Sequence, residues 1–68
     1  MNKNKNGLTT ELLDNGMTLQ TNFENGLKHG VETYWYANGQ KASEGNYLDN
    51  KLDGVLTYWY DNGTKASE

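Results

Sequence analysis

Apolar and polar residues alternate along most of this chain with a period close to two. The segments VETYWY (31–36) and VLTYWY (55–60) are rich in β-branched and aromatic residues, which suit a pleated, half-buried surface. Each is followed by Asn-Gly, the favoured pair for a two-residue hairpin loop of type I′. Five Asn-Gly pairs occur, at 6–7, 15–16, 25–26, 38–39 and 62–63, and no proline bars any strand from a ladder. Between these pairs the apolar runs are too short, and spaced too closely to two, for a helix. The pattern predicts an all-β fold, an antiparallel meander of about five or six strands.

A two-residue turn at Asn38-Gly39 sets an expected register. Trp35 then faces Ala42, Tyr36 faces Lys41, and Tyr34 faces Ser43. One face carries Val31, Thr33, Trp35 and Ala42. The other carries Tyr34, Tyr36, Lys41 and Tyr47. Aromatics on both faces predict a single curled sheet, one face forming a core and the other an amphipathic surface. The polar stretch LDNKLDG (48–54) reads as a longer connection that leaves Gly54 to start the next strand.

The pattern also repeats. Residues 30–44 read GVETYWYANGQKASE and residues 54–68 read GVLTYWYDNGTKASE, identical at twelve of fifteen positions. A weaker copy, GLTTELLDNG (7–16), puts Leu12 in the Trp slot and Leu13 in the following Tyr slot, and is one residue shorter before the next Gly. Residues 1–6 are read as a flexible tail and 7–68 as one domain of units 7–29, 30–53 and 54–68. Units of this length imply a stacked array in which each buries its apolar face against its neighbour. The first unit is degenerate, as a terminal cap is, and the last stops halfway.

Composition narrows the function classes. Hydrophobic residues are 34% and mean hydropathy is −0.99, so a 68-residue chain of this kind has little from which to build a core. Cysteine is absent, which excludes disulfides and thiolate metal sites. Net charge is −3, and the six basic residues are scattered lysines, which speaks against direct nucleic-acid binding and against anionic membranes. No apolar run approaches the ~20 residues of a membrane span, and no apolar segment follows the two N-terminal lysines as in a secretory signal. A cytoplasmic location is the resulting expectation.

These residues resemble the MORN repeat in its bacterial variant, a group often called antitoxin-like. The second unit carries the resemblance through Gly30, Trp35, Tyr36, Asn38, Gly39, Glu44, Gly45, Tyr47 and Gly54. The third carries it through Gly54, Trp59, Tyr60, Asn62, Gly63 and Glu68. The first departs from it, with Leu12 and Leu13 in place of the aromatic pair. The resemblance implies an extended array of β-hairpins without enzymatic activity, serving protein–protein contact or self-association.

No constellation of catalytic residues stands out. His29 is the sole histidine, and one imidazole builds neither a zinc site nor a triad. Asp49 to Gly54 loosely matches the opening of a calcium loop, but Lys51 occupies a ligand position and Tyr60 the place of the closing Glu. Glu44 and Glu68 are repeat equivalents spread along the sheet rather than a carboxylate pair across a cleft. Lys41 and Lys65 read as solubilising and pairing residues, and Asn62-Gly63-Thr64 matches a glycosylation sequon. The expectation is therefore no enzyme, no cofactor and no metal.

The candidate partner surface is Tyr34, Tyr36, Tyr47, Tyr58 and Tyr60, since tyrosine gives rigid contact area with a polar tip. Glu32, Asp49, Asp53 and Asp61 could complement a basic patch on a partner protein. Trp35, Trp59, Gly39, Gly45, Gly54 and Gly63 read as structural. The leading expectation is a small acidic inhibitor or antitoxin-like protein that neutralises a bacterial or phage-related partner. The alternatives are a self-associating scaffold, a homodimer through the C-terminal edge strand 64–68, and a carbohydrate-binding aromatic repeat.

Overall fold

The computed structural model describes residues 5–67. Its regular elements are all strands: β1 (Gly7–Leu12), β2 (Thr18–Glu24), β3 (Leu27–Trp35), β4 (Lys41–Leu48), β5 (Lys51–Leu52), β6 (Thr57–Trp59) and β7 (Lys65–Ser67). They form one open antiparallel sheet in the order β1-β2-β3-β4-β6-β7, with β5 also paired to β4. The expected five or six strands become seven because one strand is interrupted. Leu52↔Tyr47 and Thr57↔Glu44 copy Lys28↔Phe23 and Thr33↔Gln20, so β5 and β6 together occupy the place of β3.

Two kinds of turn alternate along the sheet. At one end, Tyr36 N–H donates to the Gln40 carbonyl (2.7 Å) and Gly39 N–H to the Tyr36 carbonyl (2.9 Å). Gly39 has φ +89°, and Asn38 is not among the described residues with positive φ. This is a three-residue loop, a type I turn closed by a left-handed glycine, and not the two-residue type I′ loop that Asn-Gly predicts. The asparagine side chain supplies the reason. Asn38 Oδ1 accepts the N–H of Gln40 at 2.9 Å, two residues on, which holds Asn38 in the ordinary right-handed region. Asn15 and Asn62 cap Met17 and Thr64 in the same way.

Type I′ turns occur at the other end. Asn25-Gly26 (φ 55° and 83°) joins Glu24 to Leu27, and Asp49-Asn50 (φ 50° and 74°) joins Leu48 to Lys51. The stretch 48–54 is thus a tight hairpin and not a long loop. Asn50 adopts the left-handed backbone that Gly26 adopts one unit earlier, which asparagine tolerates.

Register departs from expectation by one residue. Tyr34 pairs with Ser43 as expected, but Trp35 pairs with Lys41, leaving Ala42 as the extra residue of a β-bulge. The bulge reverses two side chains. Lys41 lies on the tryptophan face and Ala42 lines the tyrosine face. The same shift recurs between Tyr58 and Trp59. β1 and β2 pair without a shift, so the residue that the first unit lacks is its bulge residue.

The expected core face does not form. The molecule measures 37 × 27 × 14 Å, which leaves no thickness for a second layer. Among the described residues no large side chain is fully buried, and the buried strip comprises Thr21, Glu32, Thr33, Ala42, Ser43 and Gly45. A chain poor in apolar residues cannot cover a sheet face, so β2–β4 shelter small and hydrogen-bonded groups instead. Residues 1–4 of the expected tail lie outside the described residues. Lys5 and Asn6 are tied to the Asn25-Gly26 turn by Gly26 N–H on the Lys5 carbonyl and Asn25 N–H on Asn6 Oδ1, both at 2.9 Å.

Candidate functional site

The alternating pleat sorts the aromatic residues onto two faces with different chemistry. On one face Trp35 and Trp59 stand one unit apart. Lys41 Nζ lies 5.9 Å from the Trp35 ring centre and 5.8 Å from that of Trp59, within cation–π range of both. Glu44 accepts from that ammonium at 2.9 Å, and Trp35 Nε1 donates to Gln20 Oε1 at 2.9 Å. Lys41, Glu44 and the Trp35 indole thus find partners within the sheet, and the ammonium shared by the two rings makes the cluster a seam between units.

The other face gathers four of the five candidate tyrosines. Tyr34, Tyr36, Tyr58 and Tyr60 line an open, mostly apolar groove of about 610 Å³, together with Leu13 and Met17. Tyr58 and Tyr60 are 46% and 58% exposed. Ala42 and Ala66, the small residues at the bulges, keep the groove floor low. Tyr36 is the most engaged of the four. Its hydroxyl donates to the Trp59 carbonyl at 2.6 Å, linking the second unit to the third. Tyr47 shares this face but sits at its far end, under Lys28 Nζ at 4.9 Å.

The four candidate carboxylates do not form one patch. Glu32 is buried, bonded to Lys28 at 2.9 Å and to Thr21 Oγ1 at 3.2 Å, and so is turned inward. Its hydrogen bond, more than its charge, raises the Lys28 ammonium above its ordinary value, with burial opposing. Asp49 lies in the type I′ turn, 3.9 Å from His29 Nδ1, and exposed Asp53 anchors its N–H on Asn46 at 2.7 Å. Asp61 lies at the opposite end, beside the groove, where its carbonyl accepts from Asn38 Nδ2 at 2.7 Å. Exposed Asp14 occupies the equivalent place in the first turn.

The glycines split by role. Gly39, Gly54 and Gly63 have φ near +90°, where a side chain is strained. Gly45 does not; a Cβ there would stand 2.9 Å from Leu56 Cδ1 and 3.1 Å from Leu52 Cδ1. Sequence reasoning missed Leu13 and Met17 as groove residues. Leu13 occupies a tyrosine slot of the repeat, which was the available signal. Met17 has none, because its counterpart is Gln40. Among the described residues no three His, Cys, Asp or Glu side chains come together as a metal cluster would require. No helix among them is long and apolar enough to cross a membrane.

A family model described as the MORN repeat variant matches residues 28–49 and 52–68. Neither the curated proteins nor the solved structures contain a match to this chain.

Proposed function

This chain belongs to the MORN repeat variant family, and we propose that it is a non-enzymatic module that binds another protein through its tyrosine face. Repeats of this family are generic modules, often used for binding and scaffolding. The observation that carries the reading is the convergence of Tyr34, Tyr36, Tyr58 and Tyr60 from successive units on one open apolar groove. Tyrosine is enriched where protein interfaces hold most of their energy, because it offers rigid area at small entropic cost.

The groove's surroundings favour one kind of partner. Asp14 and Asp61 lie in the turns at its end, and the chain carries a net charge of −3. A protein segment that presents apolar side chains flanked by Lys or Arg fits this arrangement. Size, acidity and aromatic surface together suit a small inhibitor or antitoxin-like protein that occupies a surface of a larger bacterial or phage-related protein.

The test is directional cross-linking. A photoreactive phenylalanine analogue is placed at position 58 or 60 on the groove face, or at position 10 on the opposite face. The expected result is one shared adduct from positions 58 and 60, none from 10, and loss of the adduct when Asp14 and Asp61 are both changed to Lys. Adducts of equal yield from both faces, or none from 58 and 60, would refute the reading.

A further inference from the structure

Two side chains stitch the second unit to the third. Tyr36 Oη donates to the Trp59 carbonyl at 2.6 Å, and Asn38 Nδ2 donates to the Asp61 carbonyl at 2.7 Å. Both donors belong to the loop 36–40, and both acceptors to the corresponding part of the next unit. The loop 60–64 is a copy of the first, with the same backbone bonds and the same asparagine cap. It presents Tyr60 in the place of Tyr36 and Asn62 in the place of Asn38. Tyr60 is 58% exposed. Neither its hydroxyl nor the Asn62 amide donates a hydrogen bond among the described residues.

The acceptors have counterparts too. Leu12 and Asp14 hold the repeat positions of Trp59 and Asp61. Among the described residues β1 pairs only with β2, and β7 only with β6. Leu12 is 76% exposed, more than the other exposed large apolar residues. The chain therefore carries the donor half of its own inter-unit connection at one edge and the acceptor half at the other.

We propose that this chain binds a second copy of itself head to tail, with β7 of one copy against β1 of the next. Tyr60 Oη meets the Leu12 carbonyl of the neighbouring copy, and Asn62 Nδ2 meets its Asp14 carbonyl. Carrying the β4–β6 register Ser43↔Tyr58 across the junction sets Ser67 opposite Glu11. The sheet then continues at the spacing it already uses between its own units. A second copy is the fitting occupant because the junction extends an interface already present within the chain. The two surfaces differ, so the contact is heterologous and adds copies in a row instead of closing at two. Its donors and acceptors lie at the sheet edges, but Tyr60 also lines the groove, so a second copy is told apart from another protein by the self-association of the purified chain alone.

Sedimentation velocity across a wide concentration series tests this on the full chain. The average mass is expected to climb with concentration and to pass that of a dimer. The double variant Tyr60→Phe, Asn62→Asp removes both donors, while the aspartate keeps the oxygen that caps Thr64. It should fold as the parent does, by circular dichroism, and weaken self-association by about tenfold or more. Its β1 edge remains intact. Added to the parent chain, the variant should therefore cap growing rows and lower their average mass. A monomer at every concentration, a mass that stops at two copies, or a double variant that associates as strongly as the parent would each overturn the proposal.

Discussion

The seam between β2 and β3 and the seam between β4 and β5–β6 occupy the same place in successive units, yet opposite chemistry fills them. In the first, Thr21 and Lys28 close on the carboxylate of Glu32 at 3.2 and 2.9 Å. In the second, the corresponding residues are Gly45, Leu52 and Leu56, and both leucine tips lie within about 3 Å of where a Gly45 Cβ would stand. The register is shared, although the ladder runs unbroken through β3 and is interrupted at 53–56 between β5 and β6. The register that pairs Phe23 with Lys28 pairs Tyr47 with Leu52, and a glycine with positive φ follows in each, Gly30 at +109° and Gly54 at +94°. The ladder and its bulge set the shape of the slot. Either a satisfied ion pair or a small-plus-leucine pack fills it, and a mixture of the two is expected to cost stability.

The sharpest way to break this comparison is to put one member of the polar set into the apolar slot. Leu56→Glu would press a carboxylate against Gly45 and Leu52 with no cation opposite. A loss of about 1–3 kcal/mol is expected in urea unfolding, since Leu56 is half-buried and Leu52 is 45% exposed. A near-neutral result would mean that the slot is open to water and the contrast is superficial.

Lys28→Ala makes the reverse cut. Glu32 keeps only the Thr21 hydroxyl, with its side chain 8% exposed, and a loss of about 1–3 kcal/mol is expected by the same measurement. Glu32→Leu should cost less than Lys28→Ala, because Lys28 is 36% exposed and can turn to water.

Exchanging the whole set tests the idea of equivalence. The triple variant Thr21→Gly, Lys28→Leu, Glu32→Leu should keep the fold and lie within about 1 kcal/mol of the parent, on either side. A collapse of stability on full exchange would show that the slot differs in ways the register does not reveal.

The smallest expected effect is in alkaline solution. The Glu32 hydrogen bond raises Lys28 above its ordinary value of 10.5, so the folded chain keeps that proton to higher pH than the unfolded chain. The stability this supplies is complete below the unfolded value and is lost as pH rises through the folded one. Melting temperature against pH should therefore fall more steeply above pH 10.5 in the parent than in the triple variant. Superimposable curves would remove the ion pair from the account.

The same contrast shows what could be read before the fold was known. The strands around Tyr34-Trp35-Tyr36 and Tyr58-Trp59-Tyr60 and the repeat phase follow from alternation and identity. The turn class does not. Asn-Gly serves both as a two-residue loop at 25–26 and as the end of a three-residue loop at 38–39, and the choice depends on where the asparagine oxygen bonds. The face of a residue beyond such a loop inherits that ambiguity, which is why Lys41 and Ala42 exchange sides. The groove was legible in its tyrosines, because they recur. Met17 reaches it only through the stacking of neighbouring turns, and no local pattern signals that. Glu32 looked like a surface charge because the lysine that satisfies it, four residues earlier, belongs to no repeated motif.

The strictly sequential order of strands has a kinetic consequence. Each hairpin touches only those before and after it in the chain, so no long loop must close before a favourable contact forms. Assembly can start at any ribbon and spread outward like a zipper, and melting should begin at the outermost strands and reach the β3–β4 ribbon last.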